Sequence, residues 1–418
     1  MFSALLGLGC VASAGGASLA AAPAPAVLVP QVMAPTPAAV TPALSVVPAS
    51  VPAVLPAAVA AGPPAPDERS LRALAGLQLE LLDAASRALT AGEAARAVEL
   101  LTLALEADEG NPSVRFLLGV ALMSLGRLES AEQHLARADE LRPGDVSTLS
   151  LLARLAFERG APDVARALLE RVVQLEPGEP SGWVNLGSVC LDQRELDAAL
   201  SALQTALELD PDCAGAHRGL GRLFGLVAEP VLAERAWRTS LELAPEDPLA
   251  WLSLGHALRD QGRLEGGLAA YLEGLALLPE DPWMAANVGS VLLALGRPQE
   301  ARGPLMQAVA GLEREPLELA LVLVDLGRCL ESSGDLSGAE QCYADAGRAD
   351  PSLAEAPVAL GSLLLNRAQP WRARGVLRRA SRLQDLPAEL ALELARLDAR
   401  ADERAASPSW PPAAIDRD

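Results

Sequence analysis

The chain is 418 residues long, half of them hydrophobic and only 3% aromatic, with a formal net charge of −20. That suits a large core of Leu and Ala, and argues against nucleic acid, whose phosphates call for stripes of Lys and Arg. Lysine is absent altogether, which removes the P-loop lysine, Schiff-base catalysis and the Ser-Lys nucleophile pair.

Residues 1–66 contain no Asp, Glu, Lys or Arg. Met1 to Ala22 is rich in Ala, Gly and Leu and reads as a signal peptide with an Ala20-Ala21-Ala22 cleavage region, although it lacks a basic start. Cys10, after Leu8-Gly9, is similar to a lipoprotein modification site, with little hydrophobic sequence before it. An exported, periplasmic or envelope protein with a cleaved or lipid-anchored N-terminus is one reading. A cytoplasmic protein with an uncleaved tail is the other. Residues 23–66 are an Ala/Pro/Val tract, expected to be a disordered, polyproline-leaning linker. Ala and Gly are poor material for a membrane-spanning helix, so a membrane enters only through an N-terminal anchor.

Charge begins abruptly at Asp67, which marks the expected start of a helical region over residues 67–405. Leu71 to Gly76 reads as a lead-in helix. A unit of 34 residues then starts at positions 78, 112, 146, 180, 214, 248 and 282. It is clearest from Pro180 to Pro279. Numbering its slots 1 to 34, Trp183, Leu186, Gly187, Cys190, Ala199, Leu203, Ala206 and Pro211 occupy slots 4, 7, 8, 11, 20, 24, 27 and 32. The next unit puts His217, Leu220, Gly221, Phe224, Ala233, Trp237, Ser240 and Pro245 there, and the third puts Trp251, Leu254, Gly255, Leu258, Gly267, Tyr271, Gly274 and Pro279. Four residues are inserted around Leu312 to Pro316, after which units start at 320 and 354. Pro387 opens a capping helix, Ala388 to Arg404, and residues 406–418 read as a disordered tail.

A fixed period of this kind is the mark of a repeat architecture. Slots 4, 7, 8 and 11 make one apolar stripe on a first helix, and slots 20, 24 and 27 one on a second. Small residues at slots 8 and 20 let the two backbones approach, and proline at slot 32 ends the second helix. Each unit is then a helical hairpin that must bury its face against its neighbours. These slots resemble the tetratricopeptide repeat. The resemblance implies an all-α, right-handed α-solenoid of about nine such hairpins with a C-terminal capping helix.

Little sequence is left over for a catalytic domain. HExxH, GxSxG, CxxC and GxGxxG are all missing, and no cofactor pattern is found, so the chain is expected not to be an enzyme. The five cysteines, Cys10, Cys190, Cys213, Cys329 and Cys342, have no metal-type spacing and read as small buried hydrophobes. Cys329 and Cys342 sit on the two helices of one unit, which leaves a disulfide open in an oxidising compartment. His134, His217 and His256 fall in different slots and suggest no metal site.

In the tetratricopeptide family, first helices line a concave groove with slots 2, 5, 6, 9, 12 and 13, which lie away from the core stripe. Carried onto this chain, the early groove is apolar: Leu82, Phe116, Leu117, Val120, Met123, Leu151 and Phe157. It reads either as a trough for an amphipathic or extended peptide, or as packing between neighbouring first helices. The chain's own residues 23–66 are a third candidate occupant. The middle is polar: Arg154, Asn185, Arg218, Arg222, His256 and Arg259, with Arg328 further on. Arginines favour an acidic peptide or a C-terminal carboxylate, unless Asp192 and Asp260 neutralise them on a solvated face. Asn185 and Asn287 resemble the family's asparagines that hold a peptide backbone. The family's carboxylate clamp also uses Lys, which this chain lacks. Trp283 reads as a ligand anchor or as packing against the preceding unit. The expected function is a non-catalytic scaffold binding protein or peptide partners. An envelope-tethered assembly factor and a regulatory subunit of an enzyme such as a glycosyltransferase are the alternatives.

Overall fold

The computed structural model describes residues 68–381, 383 and 388–406. The proposed signal segment, the linker of residues 23–66 and the tail after Ala406 lie outside the described residues. The first hairpin pairs α1 (Glu68–Thr90) with α2 (Ala94–Ala107), and the second pairs α3 (Pro112–Ser124) with α4 (Leu128–Leu141). Then come α5 (Val146–Glu158) with α6 (Pro162–Leu175), and α7 (Pro180–Asp192) with α8 (Leu196–Leu209). The fifth and sixth are α9 (Ala214–Leu226) with α10 (Pro230–Leu243), and α11 (Pro248–Asp260) with α12 (Leu264–Leu277). The seventh pairs α13 (Pro282–Ala294) with α14 (Pro298–Gly311), and the eighth pairs α15 (Pro316–Ser332) with α16 (Leu336–Ala349). The ninth is α17 (Glu355–Asn366) with α18 (Pro370–Ala380), followed by the cap α19 (Ala388–Ala406). The described residues contain helices and turns and no strand.

One expectation is refined, and the effect of the insertion, which the sequence leaves open between a bend and a longer helix, is settled. The lead-in at Leu71–Gly76 is not separate, because it runs on into the first repeat helix as α1. The four inserted residues lengthen a helix: α15 has 17 residues where α13 has 13. The extra turn, Pro316–Leu319, adds roughly 6 Å at 1.5 Å per residue.

Local sequence explains where the helices start and stop. Asx side chains at slot 34 cap first helices: Asp145 accepts from the Thr148 N–H at 2.9 Å, and Asp281 from the Met284 N–H at 2.7 Å. Proline at the first helical position is pre-set for the helix and needs no donor. First helices end in a recurrent backbone closure, as where the Glu229 N–H reaches the Phe224 carbonyl at 2.9 Å. That closure requires a left-handed residue at slot 15. Glycine fills that position in several units, as at Gly92, Gly126 and Gly160, with φ of 77°, 70° and 73°. Other units place Arg194, Ala228 and Ala368 there at φ of 61°, 56° and 58°, which costs a side-chain-bearing residue about 1–2 kcal/mol.

The hairpin core is slot 8 against slot 24. A β-carbon on Gly221 would lie 2.6 Å from the Trp237 ring, and one on Gly119 would lie 2.5 Å from Leu135. Gly255 and Gly327 stand likewise against Tyr271 and Tyr343, both completely buried. Slot 20 is as tight, since a β-carbon on Gly267 would meet the Gly255 carbonyl at 3.1 Å. Hairpins are tied to each other by a side-chain bond that recurs: the ring N–H groups of Trp183 and Trp251 donate to the carbonyls of Pro177 (3.0 Å) and Pro245 (2.9 Å). His217 bonds the Pro211 carbonyl at 3.0 Å in the same way, so its Nε2 carries the proton. The Arg115 guanidinium takes that role on the Glu109 carbonyl. Every substantial helix contact is with the next helix or the next but one.

Two substitutions test this packing. Gly221→Ala should destabilise by about 1–3 kcal/mol, because the Trp237 ring must move, although Ala is the better helix former; urea unfolding reads the difference. Ala228→Gly should stabilise by about 0.5–1 kcal/mol in the same assay.

Candidate functional site

The first helices present slots 2, 5, 6, 9, 12 and 13 away from the slot 8–slot 24 core, and these positions divide into three zones. In α1, α3 and α5 the apolar residues are partly claimed by packing. Leu82, Phe116, Leu117 and Leu151 are half-buried against the first core cluster. Val120 is also half-buried, and Met123 is buried. Phe157, 36% exposed, stands clear. Phe116 also borders a cavity of about 200 Å³ between the ends of α3, α4 and α5, with Ser113, Arg142 and Thr148 on its walls.

The middle zone, on α5, α7 and α9, is open and polar. Arg154, Asn185, Arg218 and Arg222 are all exposed. Each arginine leans on a carboxylate of the chain: Arg154 on Glu158 at 3.4 Å, Arg218 on Asp247 at 3.2 Å and Arg222 on Asp192 at 2.8 Å. Asp247 is also the cap of α11. Exposed pairs like these are worth roughly 0.2–1 kcal/mol, so an arriving carboxylate displaces them cheaply. The Asn185 side chain makes no hydrogen bond within the described residues and remains open to a ligand.

The third zone, on α11, α13 and α15, is polar but largely closed, which corrects the expectation of an open groove position for Asn287 and Arg259. Asn287 is 2% exposed and is used up internally, accepting from His256 Nε2 at 3.3 Å and donating to the Trp283 carbonyl at 2.8 Å. Unlike Asn185, it cannot hold a passing peptide. The Arg259 side chain is 7% exposed and pairs with Asp260 at 3.2 Å. The Trp283 ring is half-buried against the largest core cluster. His256 is half-buried, its ring edge-on to Tyr271 with 5.5 Å between centroids. The pattern repeats one hairpin on, where the Ser290 hydroxyl donates to buried Asp325 and Arg328 pairs with that carboxylate at 3.0 Å. Slot 9 of one unit therefore bonds slot 6 of the next in this zone. Arg154 and Asn185 stand in the same register but make no such bond. Cys190, Cys213, Cys329 and Cys342 are free thiols, and Cys190 and Cys329 are buried as expected.

Burial acts on the two ladder groups in opposite ways. Loss of water, then the neighbouring Arg259 charge, lowers the His256 pKa to about 4, against smaller upward effects of the Asn287 bond and Asp260. Asp325 is raised above the usual carboxylate value, because its desolvation outweighs the Ser290 bond and Arg328.

Residues 88–155 match one tetratricopeptide-repeat family model, and residues 150–212, 191–224 and 232–282 match a second. No curated protein matches the sequence. Among solved structures, a tetratricopeptide repeat protein from Parabacteroides merdae is 16% identical with a TM-score of 0.50; the match covers 59% of this chain and 99% of that one. It shows the shared fold. A chain of the Cut9–Hcn1 hetero-tetramer of the APC/C is 17% identical with a TM-score of 0.49, over 72% of this chain and 58% of that one. This chain thus spans 58% of that relative's length. A thermophilic protein of the same repeat class from Thermus thermophilus is 27% identical with a TM-score of 0.40, over 44% of this chain and all of that one.

The buried ladder predicts a two-sided pH response. Below the unfolded value of 6.5, the unfolded chain takes up a proton that folded His256 refuses. Stability therefore falls from near pH 7 towards pH 4, by at most roughly 3 kcal/mol, and His256→Gln should flatten that arm. Asp325 has the opposite sign, since its raised pKa costs stability as pH rises above the unfolded carboxylate value. Asp325→Asn should thus be neutral or stabilising at pH 8 and lose that advantage towards pH 4. Urea midpoints across this range check both.

Proposed function

This chain is built of tetratricopeptide repeats, a protein-interaction scaffold, and from that premise we propose that it binds peptide segments of partner proteins along α5, α7 and α9, without turnover. The observation that carries the reading is the run of exposed side chains Arg154, Phe157, Asn185, Arg218 and Arg222 on three successive first helices. Their chemistry fits one ligand type. An extended peptide would offer backbone groups to the Asn185 amide, an apolar side chain to Phe157, and a carboxylate to Arg218 and Arg222. Arg154 and Phe157, three residues apart on α5, share one helix face. In a chain of net charge −20, the three guanidiniums are the groups here that can receive an acidic ligand, and such a ligand competes with Glu158, Asp247 and Asp192 for them.

The test is quantitative capture of partners on the full-length protein, with mass spectrometry to identify them. Arg154→Ala, Phe157→Ala and Asn185→Ala together should weaken the captured interaction about tenfold or more, or at least about 1.4 kcal/mol, at an unchanged thermal midpoint. Undiminished affinity in that triple variant would reject the groove.

A further inference from the structure

We propose a second docking surface on the outer face of the sixth and seventh repeats, where α12 and α14 receive an amphipathic helix of a partner protein, its apolar stripe flanked by Lys or Arg. The repeats themselves provide the comparison. Slots 22, 25 and 29 lie on the outer side of every second helix from α2 to α10, and there each helix carries at least one charge at them, such as Glu106, Glu140, Glu170, Glu208 and Glu242. In α12 and α14 they carry none: they are Ala269, Leu272, Ala276, Gly303, Met306 and Ala310, and all are exposed. Leu272 is 48% exposed and Met306 52%.

The two helices make one surface. Arg297 at the head of α14 pairs with Glu265 in the first turn of α12 at 3.5 Å, and Gln307 reaches the Pro279 carbonyl beyond the end of α12 at 2.6 Å. They therefore lie side by side in register. Protruding Leu272 and Met306 stand among residues small enough for a second helix to come close. An independent feature adjoins the strip. Where the inserted turn extends α15, a cavity of about 490 Å³ opens beside Met306, walled by Val309, Leu319 and Leu323. None of the groove slots of α15 lines it, so it belongs to this outer face. Its size accepts bulky apolar side chains.

Charge selects the occupant. Glu273 on α12 and Glu313 at the cavity edge are exposed and form no ion pair among the described residues. Asp345 is matched by Arg348. Exposed Glu280 just past α12 adds a third acid, against the exposed Arg302 and Arg314; these three are also unpaired among the described residues, so the rim is acidic on balance. The carbonyl ends of α12 and α14 also favour cations. A second copy of this chain would bring acidic rim against acidic rim, whereas a basic-flanked helix complements both the strip and its edge.

The experiment uses the full chain and a labelled helical peptide of leucine and lysine, with the leucines at helical spacing, followed by fluorescence anisotropy. The peptide should bind, and Leu272→Glu with Met306→Glu should weaken it about tenfold or more. Leu272→Gln with Met306→Gln should weaken it too, which separates lost apolar contact from added charge. Mere attraction of lysines to an acidic protein would leave binding to the Glu variant equal or tighter, and that result overturns the proposal. So does a loss of binding in the Arg154, Phe157 and Asn185 triple variant, which would put the peptide in the groove. A wild-type dimer in sedimentation that the Glu variant dissolves would make the face a self-interface, and would also overturn it.

Discussion

No hairpin in this chain can bury its own apolar stripe, and the rest of the structure depends on that constraint. Slot 8 must be glycine or alanine because the slot 24 side chain fills the space a larger residue would need: Trp237 over Gly221, Tyr271 over Gly255, Tyr343 over Gly327. Once two helices are locked this closely, the remaining apolar edge can only be covered by the next hairpin. The side chains of Arg115, Trp183, His217 and Trp251 then anchor four of the hairpins to the carbonyl at the end of the one before. A continuous wall of first helices follows from these contacts, and so does an outer row of second helices.

The same register serves two purposes along that wall. In the sixth to eighth repeats, slot 9 bonds slot 6 of the next hairpin, and the polar residues are buried and satisfied within the chain. In the third to fifth repeats those slots carry Arg154, Asn185 and Arg222, which stay exposed and turn to weak surface pairs or to none. The sixth to eighth repeats are thus stiffened by their polar residues, while the third to fifth hold theirs ready for a ligand. A fully bonded polar group specifies structure, and an open one is available for recognition.

Much of this was legible in the sequence, because slots 4, 8, 20, 24 and 32 each demand a residue type that recurs at constant spacing. What stayed hidden were relations between residues. Asn185 and Asn287 share a slot, but one is free and the other consumed, and the difference lies 31 residues away, in Arg154 against His256. Slot 15 escaped notice because Arg194, Ala228 and Ala368 break its glycine pattern, although the backbone at those three is left-handed all the same. The inserted residues could have bent the stack or lengthened a helix, and only packing decides that they extend α15. The uncharged outer slots of α12 and α14 were visible in principle, by comparing each slot across repeats on the solvent side as well as the core side.

Native-state hydrogen exchange with mass spectrometry tests the central claim most directly, since contacts reaching no further than the next helices imply stability that is local and cumulative. Protection should be highest in α13 and α15, inside the largest core cluster, and should decline stepwise towards α1 and α19. A single opening free energy shared by all the hairpins would mean that the chain folds as one cooperative globule, and would contradict the account.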